Sequence, residues 1–373
     1  MSNIDKITLH FIQNEATPHN NQLIIDINKS DNFNLILWYA RDYSNVYKWN
    51  EDITHSIQPA NIFGDKYPNI LMAFKLVFSL KSTIFQTGWE TSTSKLIIIL
   101  CFLTRKRLNL WCDLPKIYPS EDVFKKSFRA IFYLVMKNTN IKFFCAGNMA
   151  LEYFSNSLNI NKNYLINLPV TIYHEKDQDL SLSKDLIKNK YGAFNDGLFI
   201  SAGSRLIKDK GYDLLIKAIA ELDIVIKNKI KLIIFGMGEE ESNLHNEIKK
   251  YGLQKNIMIE SWLDVADMRA LVGSSDLFIH PARFDAYGAG TINAMSLGTP
   301  VIASNSSGSG PALIKDNFSG WLYDAEDIKK LSKLISFCFN NQQYLDDISK
   351  NAKSAFKTSE HNNLVDVLSD NLI

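Results

Sequence analysis

Residues 283–304, RFDAYGAGTINAMSLGTPVIAS, carry the side chains best suited to chemistry. Their pattern predicts a glycine-rich loop, one amphipathic helix, a tight turn and a buried strand. Gly288 and Gly290 allow close backbone approach, and the helix start offers free N–H groups and a positive dipole end, which suit a phosphate. Asp285 and Asn293, eight positions apart, could hydrogen-bond hydroxyl groups on either side of that anion.

A second charged loop follows the predicted strand FISAG. Gly203 turns the chain there, and Arg205 and Lys210 come next, before a helix with one buried stripe. Ligands bind at the carboxyl ends of strands in open α/β sheets, and a guanidinium with a nearby ammonium suits a pyrophosphate. A solvated charged loop is the alternative interpretation of this segment.

Residues after two further predicted strands could contact a nucleotide, but their patterns are less specific. Gly236 and Gly238 form a G-x-G after a strand, but Ser242 stands at the third glycine position, so the dinucleotide fingerprint fails and a tight turn is the ordinary interpretation. Trp262 follows the next strand and could stack on a planar base or belong to the core. With the two charged loops, these positions suit a nucleotide diphosphate with a sugar at each end.

The order of predicted strands and helices around these residues indicates an α/β fold. A composition of 46% hydrophobic and 22% charged residues is that of a globular protein, and 373 residues suit two domains. Continuous apolar runs alternate with helical patterns, which predicts two Rossmann-like doubly wound domains. The predicted strands are KITLHFI, FNLILWY, STIFQTG, RLNLWCD and IKFFCAG, then GLFISAG, KLIIFGMG, NIMIESW, DLFIHPA and TPVIASN.

The domain limits follow from a polar, charged stretch between the two sets of strands. We predict a first Rossmann-like domain over 1–170, a joint over 171–193, a second Rossmann-like domain over 194–352, and a helical segment over 353–373 that packs back on the first domain. The DQD at 177–179 lies in the joint and is interpreted as linker, so we predict no metal site. The four cysteines show no metal-ligand spacing and are expected to be buried free thiols.

The order of these motifs from about 197 to 324 resembles the retaining GT-B glycosyltransferases with a Glu-x7-Glu motif, the glycosyl transferases of group 1. The resemblance implies two domains facing a cleft, a nucleotide-diphosphate sugar as donor with a UDP-sugar favoured, and no further cofactor. It also implies that Arg205 and Lys210 bind the donor diphosphate. Both motif glutamates are replaced here, by Asp285 and Asn293, which we interpret as altered donor geometry.

The resemblance also assigns the remaining residues of this loop. Asp285 would contact the donor sugar and act in catalysis, Asn293 would contact the ribose, and the stretch Ala286, Tyr287, Gly288, Ala289 and Gly290 would meet the phosphates. The mechanism that it implies needs no strong enzymic base, because the leaving phosphate can take the acceptor proton.

Polar residues also follow the strands of the first half, where an acceptor would bind. His19, with Glu15 and Asn20, follows the first strand, and Asp113 stands near a position where the family often has a histidine. His19 and Asp113 are candidate catalytic residues, while helix caps or ordinary surface residues are the alternative.

Residues 95–142 hold ten Lys and Arg against three acidic residues, a local charge of +7. This excess suggests an anionic membrane surface as partner, and we expect no nucleic-acid binding because no such fold signature is present. Phe124, Phe128, Ile131, Phe132 and Val135 are predicted to share one face there, either in the core or on a membrane. With neither a signal peptide nor an apolar run long enough to span a bilayer, we expect a cytoplasmic protein, peripheral on the inner membrane face if this stretch binds lipid.

Three functions remain open from the sequence. The first is retaining transfer of a sugar to a lipid-linked or cell-surface polysaccharide or lipopolysaccharide precursor. The second is a non-catalytic partner subunit of the same fold, motivated by the two replaced glutamates. An epimerase acting on a nucleotide sugar is the third, although the acid/base carboxylate pair that it needs is not identified.

Overall fold

The computed structural model describes residues 6–41, 61–116, 123–170, 172, 184–359 and 364–372, and the side chain of His19 is not among the parts described. The DQD at 177–179 and most of the predicted joint lie outside these residues. The chain divides into two compact units. Unit 1 comprises 1–173 and 363–373, and unit 2 comprises 174–362.

Strands and helices alternate through most of the chain. The strands are β1 (Ile7–Gln13), β2 (Phe33–Tyr39), β3 (Asn61–Ile62), β4 (Ser82–Thr87), β5 (Leu108–Cys112), β6 (Ile141–Cys145), β7 (Leu165–Asn167), β8 (Leu198–Gly203), β9 (Ile230–Phe235), β10 (Ile257–Glu260), β11 (Leu277–His280), β12 (Val301–Ser304) and β13 (Trp321–Tyr323). The α-helices are α1 (Pro18–Lys29), α2 (Ile70–Phe78), α3 (Ser92–Thr104), α4 (Val123–Lys137), α5 (Asn148–Glu152), α6 (Lys184–Lys190), α7 (Tyr212–Ala220), α8 (Ile224–Lys227), α9 (Glu241–Lys250), α10 (Val265–Ser274), α11 (Ala289–Leu297), α12 (Ser309–Leu313), α13 (Ile328–Asn340), α14 (Gln342–Thr358) and α15 (Leu364–Leu372).

Unit 1 contains a parallel sheet in the order β3-β2-β1-β4-β5-β6-β7. Its strands are apolar on both faces because helices cover both faces. Helices α2, α3, α4 and α5 pack against one face, while α1 and α15 pack against the other. The C-terminal helix α15 buries Leu364, Leu368 and Leu372 in this second core cluster.

Unit 2 contains a second parallel sheet in the order β10-β9-β8-β11-β12-β13. Its core joins the central strands to α7, α9, α13 and α14 through fully buried Leu and Ile side chains. Helix α7 shows most clearly why these helices pack on the sheet, because Leu214, Leu215, Ala218 and Ile219 recur at helical spacing and are all buried. The predicted class, two parallel α/β units, is therefore confirmed.

All ten predicted strands are present, but the face predicted for the basic helix α4 is wrong in part. Phe132 is buried in the core and Ile131 is 62% exposed, although both were expected on one face. Met136 and Val135 lie on the core side with Phe132, while Leu134 is exposed. The side chains of Phe124 and Phe128 lie outside the described part. A helix that covers a sheet buries only the stripe facing the strands.

Replacement of Leu368 by alanine tests how much α15 contributes to unit 1. Leu368 is fully buried, so its loss leaves a cavity and should lower the free energy of unfolding by about 2–5 kcal/mol. Urea unfolding followed by circular dichroism measures this, with the exposed Asp370→Ala on the same helix as control. Equal stability of the two variants would contradict the packing of α15.

Candidate functional site

The candidate site lies where the strand order of unit 2 changes direction. Successive strands from β8 run to one side of the sheet and those from β11 to the other, so the reversal falls between β8 and β11. In open α/β sheets, ligands bind outside the carboxyl ends of the strands at this point. β8 ends at Gly203 and β11 at His280, and both charged loops of the sequence begin here.

A buried ion pair joins the two charged loops. Lys210 Nζ lies 2.5 Å from Asp285 Oδ2, with side-chain exposures of 9% and 14%. Lys210 stands in a 3-10 turn, Lys208–Lys210, after β8, and Asp285 follows β11. The structure therefore brings together Lys210, predicted to bind the diphosphate, and Asp285, predicted to bind the sugar. In this structure the two side chains pair with each other.

His280 is a second partner of Asp285. Its Nε2 lies 3.0 Å from Asp285 Oδ2, and its Nδ1 lies 2.9 Å from the hydroxyl oxygen of Thr291. A carboxylate oxygen only accepts, so Nε2 carries a proton, and Nδ1 accepts from Thr291 when the ring has a single proton. Lys210 and His280 both contact Oδ2, so Oδ1 of Asp285 takes part in neither contact.

The surroundings of Asp285 keep its carboxylate charged. Burial acts to raise the pKa of this group, but the hydrogen bond with His280 and the positive charge of Lys210 outweigh burial. The pKa of Asp285 consequently lies well below its usual range. A carboxylate that stays ionised is a strong acceptor for hydroxyl groups.

The amino end of α11 lies directly behind Asp285. Its N-cap is Gly288, with a φ of 92°, and no side chain of the described residues caps it. A side chain at 288 would also collide with the His280 ring, since a Cβ atom there would lie 2.5 Å from Cε1. The N–H groups of Ala289 and Gly290 have no partner within the helix, so this end can receive an anion.

Gly290 also brings this helix against β8. A Cβ atom at 290 would lie 2.9 Å from the Phe278 ring and 3.6 Å from the carbonyl oxygen of Gly203. Arg205, two residues after Gly203, is half-buried, and its guanidinium is in no ion pair with the residues that the structure describes. Arg205 is therefore a cation without an acidic partner among the described residues, as a site for an anion requires.

Arg283 clamps the two loops together. It makes two hydrogen bonds to Asp213 on α7, 2.7 and 2.8 Å long, and a third to the carbonyl oxygen of Lys208 at 3.0 Å. Its own backbone N–H donates to the Asp209 carbonyl at 2.7 Å. Burial opposes ionisation of Asp213, but Arg283 and two lysines hold its pKa below the usual range. The clamp fixes where Lys210 and Asp285 meet.

The other residues predicted for the donor fall at three places in unit 2. Ala286 and Tyr287 continue the loop after Asp285, and Asn293 lies one turn into α11, where its Nδ2 donates to the Ala289 carbonyl at 3.0 Å. Gly236 follows β9, the neighbour of β8 in the sheet. It must be glycine because a Cβ atom there would collide with the Ser204 carbonyl oxygen. Trp262 follows β10, the edge strand. Their contacts with a donor stay predictions.

The predicted catalytic residues of the first half lie in unit 1. His19 stands in α1 after β1, and Asp113 directly follows β5 and is exposed. Both belong to the carboxyl edge of the first sheet. Asn14 there donates to Glu90 at 2.7 Å, across the switch between β1 and β4. The catalytic roles of His19 and Asp113 stay predictions.

The sequence analysis gave no role to His280, Thr291, Asp213 or Arg283. His280 lay inside a predicted buried strand, where a polar side chain at the last position before a loop was the available signal. The pairing of Asp213 with Arg283 joins residues 70 positions apart, and no local pattern indicates it.

The chain is similar in sequence to known glycosyltransferases. Residues 183–355, just under half of the chain, match the family described as glycosyl transferases group 1, which supports the resemblance found in the sequence. An uncharacterised glycosyltransferase of Methanocaldococcus jannaschii is 25% identical over 236 residues, 63% of this chain and 60% of that protein. A GDP-mannose-dependent monoacylated alpha-(1-6)-phosphatidylinositol monomannoside mannosyltransferase of Corynebacterium glutamicum is 31% identical over 159 residues, 41% of this chain and 40% of that protein. The chain therefore spans at most 60% of these two relatives.

Solved structures match nearly the whole chain. HepE of Anabaena in complex with UDP and glucose superposes with a TM-score of 0.76 at 18% identity, covering 98% of this chain and 99% of that one. WaaG, a glycosyltransferase involved in lipopolysaccharide biosynthesis, superposes with a TM-score of 0.73 at 13% identity, again over 98% and 99%. The fold is therefore that of the GT-B glycosyltransferases.

Within the part of the chain that the structure describes, no helix is both long and apolar enough to cross a bilayer.

Replacement of Asp285 by asparagine tests the buried ion pair. It leaves Lys210 without its counter-charge, which should cost about 3–5 kcal/mol at neutral pH. Because the folded-state pKa lies below the unfolded value of about 3.9, the carboxylate stabilises the fold above about pH 4 and less so as the pH falls further. Urea unfolding of both proteins over a pH series should show the stability difference shrinking in acid. A difference that persists unchanged there would refute the charged pair.

Replacement of Arg283 by lysine tests the clamp. Lysine keeps the charge but cannot make the fork of two bonds to Asp213, so we expect a loss of about 1–3 kcal/mol in unfolding free energy. Lys217→Met is the matched control, since it removes another cation bonded to Asp213 without touching the loops. Unchanged thermal unfolding of Arg283→Lys, with that of Lys217→Met lowered, would mean that Arg283 acts only as a counter-charge.

Proposed function

We propose that this chain is a glycosyltransferase that moves a hexose, with retention of configuration, from a nucleotide-diphosphate sugar to a saccharide acceptor. A UDP-sugar is the favoured donor, and no further cofactor takes part. The acceptor is a lipid-linked or cell-surface polysaccharide or lipopolysaccharide precursor. The observation that carries the proposal is the meeting of Lys210, Asp285 and the uncapped α11 at the switch point of unit 2.

The charges of this site suit a diphosphate held beside a sugar. Arg205 supplies a guanidinium free of ion pairs with the described residues, and the N–H groups of Ala289 and Gly290 supply uncharged donors. Lys210 keeps Asp285 ionised and in place, and Asp285 Oδ1 is then the acceptor for a sugar hydroxyl. Donors and acceptor are fixed before the ligand arrives, which lowers the cost of binding.

The transfer that we propose needs little acid–base chemistry from the protein. The bond between C1 of the sugar and the diphosphate oxygen breaks, and C1 bonds to the acceptor oxygen on the same face. The acceptor proton passes to the leaving diphosphate. Arg205, Lys210 and the end of α11 stabilise the negative charge that develops on that diphosphate, the role for which preorganised donors are most effective.

The acceptor belongs to unit 1 in this proposal, at the carboxyl edge where His19 and Asp113 stand. A lipid-linked acceptor is supported by the matched relative that is named for a phosphatidylinositol mannoside and by the matched structure named for lipopolysaccharide biosynthesis. The basic residues between 95 and 142 would draw a cytoplasmic protein to the anionic inner face of the membrane, where such acceptors lie.

Replacement of Arg205 by alanine tests the donor site. The variant loses charge-assisted hydrogen bonds to the diphosphate, each worth about 1.5–3 kcal/mol, so the Kd for the donor should rise about 10- to 100-fold. Calorimetry with UDP, GDP, ADP and their sugars measures the Kd and identifies the nucleotide. Arg205 makes no ion pair with the described residues, so thermal stability without ligand should not fall.

The exposed Lys329→Ala on α13 is the control for loss of one positive charge. Equal binding of the nucleotide sugar by wild type and Arg205→Ala would reject the donor site. A folded wild-type protein that binds none of the nucleotides would instead favour the non-catalytic partner subunit. The configuration of the product at C1, read by NMR, then tests retention.

A further inference from the structure

Helices α2 and α3 of unit 1 expose an unusual amount of apolar surface. Helix α2 buries Met72, Ala73, Leu76 and Val77 against the sheet, yet its opposite face is apolar as well. Leu71 is 85% exposed, and Leu80, just after the helix, is 96% exposed. We call the following six exposed side chains the α2–α3 patch: Leu71, Phe74, Phe78, Leu80, Phe102 and Leu103.

Hydrogen bonds at both ends of α2 join it to α3 and to the residues just after α3. The backbone N–H of Asn69, the N-cap of α2, donates to the Thr93 hydroxyl at 2.9 Å. At the other end, Lys106 Nζ donates to the Ser79 carbonyl at 2.6 Å. The two helices therefore lie side by side and run in the same direction. Large exposed apolar side chains gathered on two neighbouring helices mark an interaction site.

The charges around the patch are almost all positive. Residues 70–107 hold six Lys and Arg and a single acidic residue, Glu90, a net charge of +5. Lys75, Lys81 and Arg105 are exposed beside the apolar side chains. Glu90 bonds to Asn14 at 2.7 Å, so it is engaged with another part of unit 1. An occupant of this surface must be apolar and negatively charged.

We propose that the α2–α3 patch docks on an anionic lipid bilayer. The leucine and phenylalanine side chains enter the boundary between headgroups and acyl chains, and the flanking cations reach the lipid phosphates. Most of this surface lies before the basic stretch 95–142, and four of its six apolar residues precede Lys95. The docking does not depend on sugar transfer.

A second copy of the chain fits the same surface less well. In a two-fold symmetric dimer, the same face meets itself, so Lys75, Lys81 and Arg105 would face identical cations. Like charges placed opposite each other across an interface oppose association. Charge complementarity therefore favours lipid phosphates over self-association.

Co-sedimentation of the full chain with vesicles tests this proposal. The vesicles contain phosphatidylcholine with phosphatidylglycerol, or phosphatidylcholine alone. We expect binding only to the first, weakened by salt. Leu71→Ser/Leu80→Ser should lower the partition coefficient about tenfold or more, because two side chains no longer leave water. Lys75→Glu/Lys81→Glu should produce a loss of similar size.

Matched variants make the outcomes distinct. Ile224→Ser/Val225→Ser removes two exposed apolar residues from unit 2, and Lys329→Glu/Lys330→Glu changes the same number of charges there, so both should bind as wild type does. No wild-type binding to either vesicle overturns the proposal. A larger loss in Lys126→Glu/Lys137→Glu than in the α2 variants would place the contact on α4 instead. A dimer by light scattering that Leu71→Ser/Leu80→Ser dissociates would mean that a second copy occupies the patch.

Discussion

The buried ion pair between Lys210 and Asp285 is the interaction on which the geometry of unit 2's switch point depends. Removing two charges from water is costly, and the attraction between them offsets that cost only when geometry and further hydrogen bonds are good. Here Asp285 Oδ2 is 2.5 Å from Lys210 Nζ and 3.0 Å from His280 Nε2, so the carboxylate has two partners. Both loops must therefore hold fixed positions. Arg283 provides this by bonding Asp213 and the Lys208 carbonyl at once.

Several glycines near the site are required by close packing, whether or not a ligand binds. Gly236 meets the Ser204 carbonyl, and Gly288 faces the His280 ring, at positions where a Cβ atom would collide. Backbone packed this closely against backbone leaves the loops little freedom. The glycine-rich pattern in the sequence thus reflects the close approach of the loops as well as the anion site that we propose. The two roles support each other, because a rigid loop holds its N–H groups where a phosphate could bind without further ordering.

The sequence was sufficient to predict ten strands and both sheets, because apolar runs are local signals. The anionic character of the ligand stays a prediction. The three strands that it missed, β3, β7 and β13, are two or three residues long and lie at or near sheet edges, where a strand needs no continuous apolar run. Pairing across 70 positions, as between Asp213 and Arg283, has no local signal at all. The face of α4 was misjudged at Ile131, because helical spacing alone does not say where the buried stripe ends.

The replacement of two glutamates in the motif has a physical consequence at this site. Oδ2 of Asp285 contacts both Lys210 and His280, so Oδ1 remains as an acceptor for a sugar hydroxyl. Asn293 carries no charge and donates to the Ala289 carbonyl within α11. A glutamate at 293 would place a negative charge one turn behind the N–H groups that are to receive a phosphate. With asparagine there, no further negative charge is added beside Lys210 and Asp285 at the switch point. The variant motif is thus compatible with the diphosphate site that we propose, in which the uncharged Asn293 would make a weaker contact to the ribose than a carboxylate would.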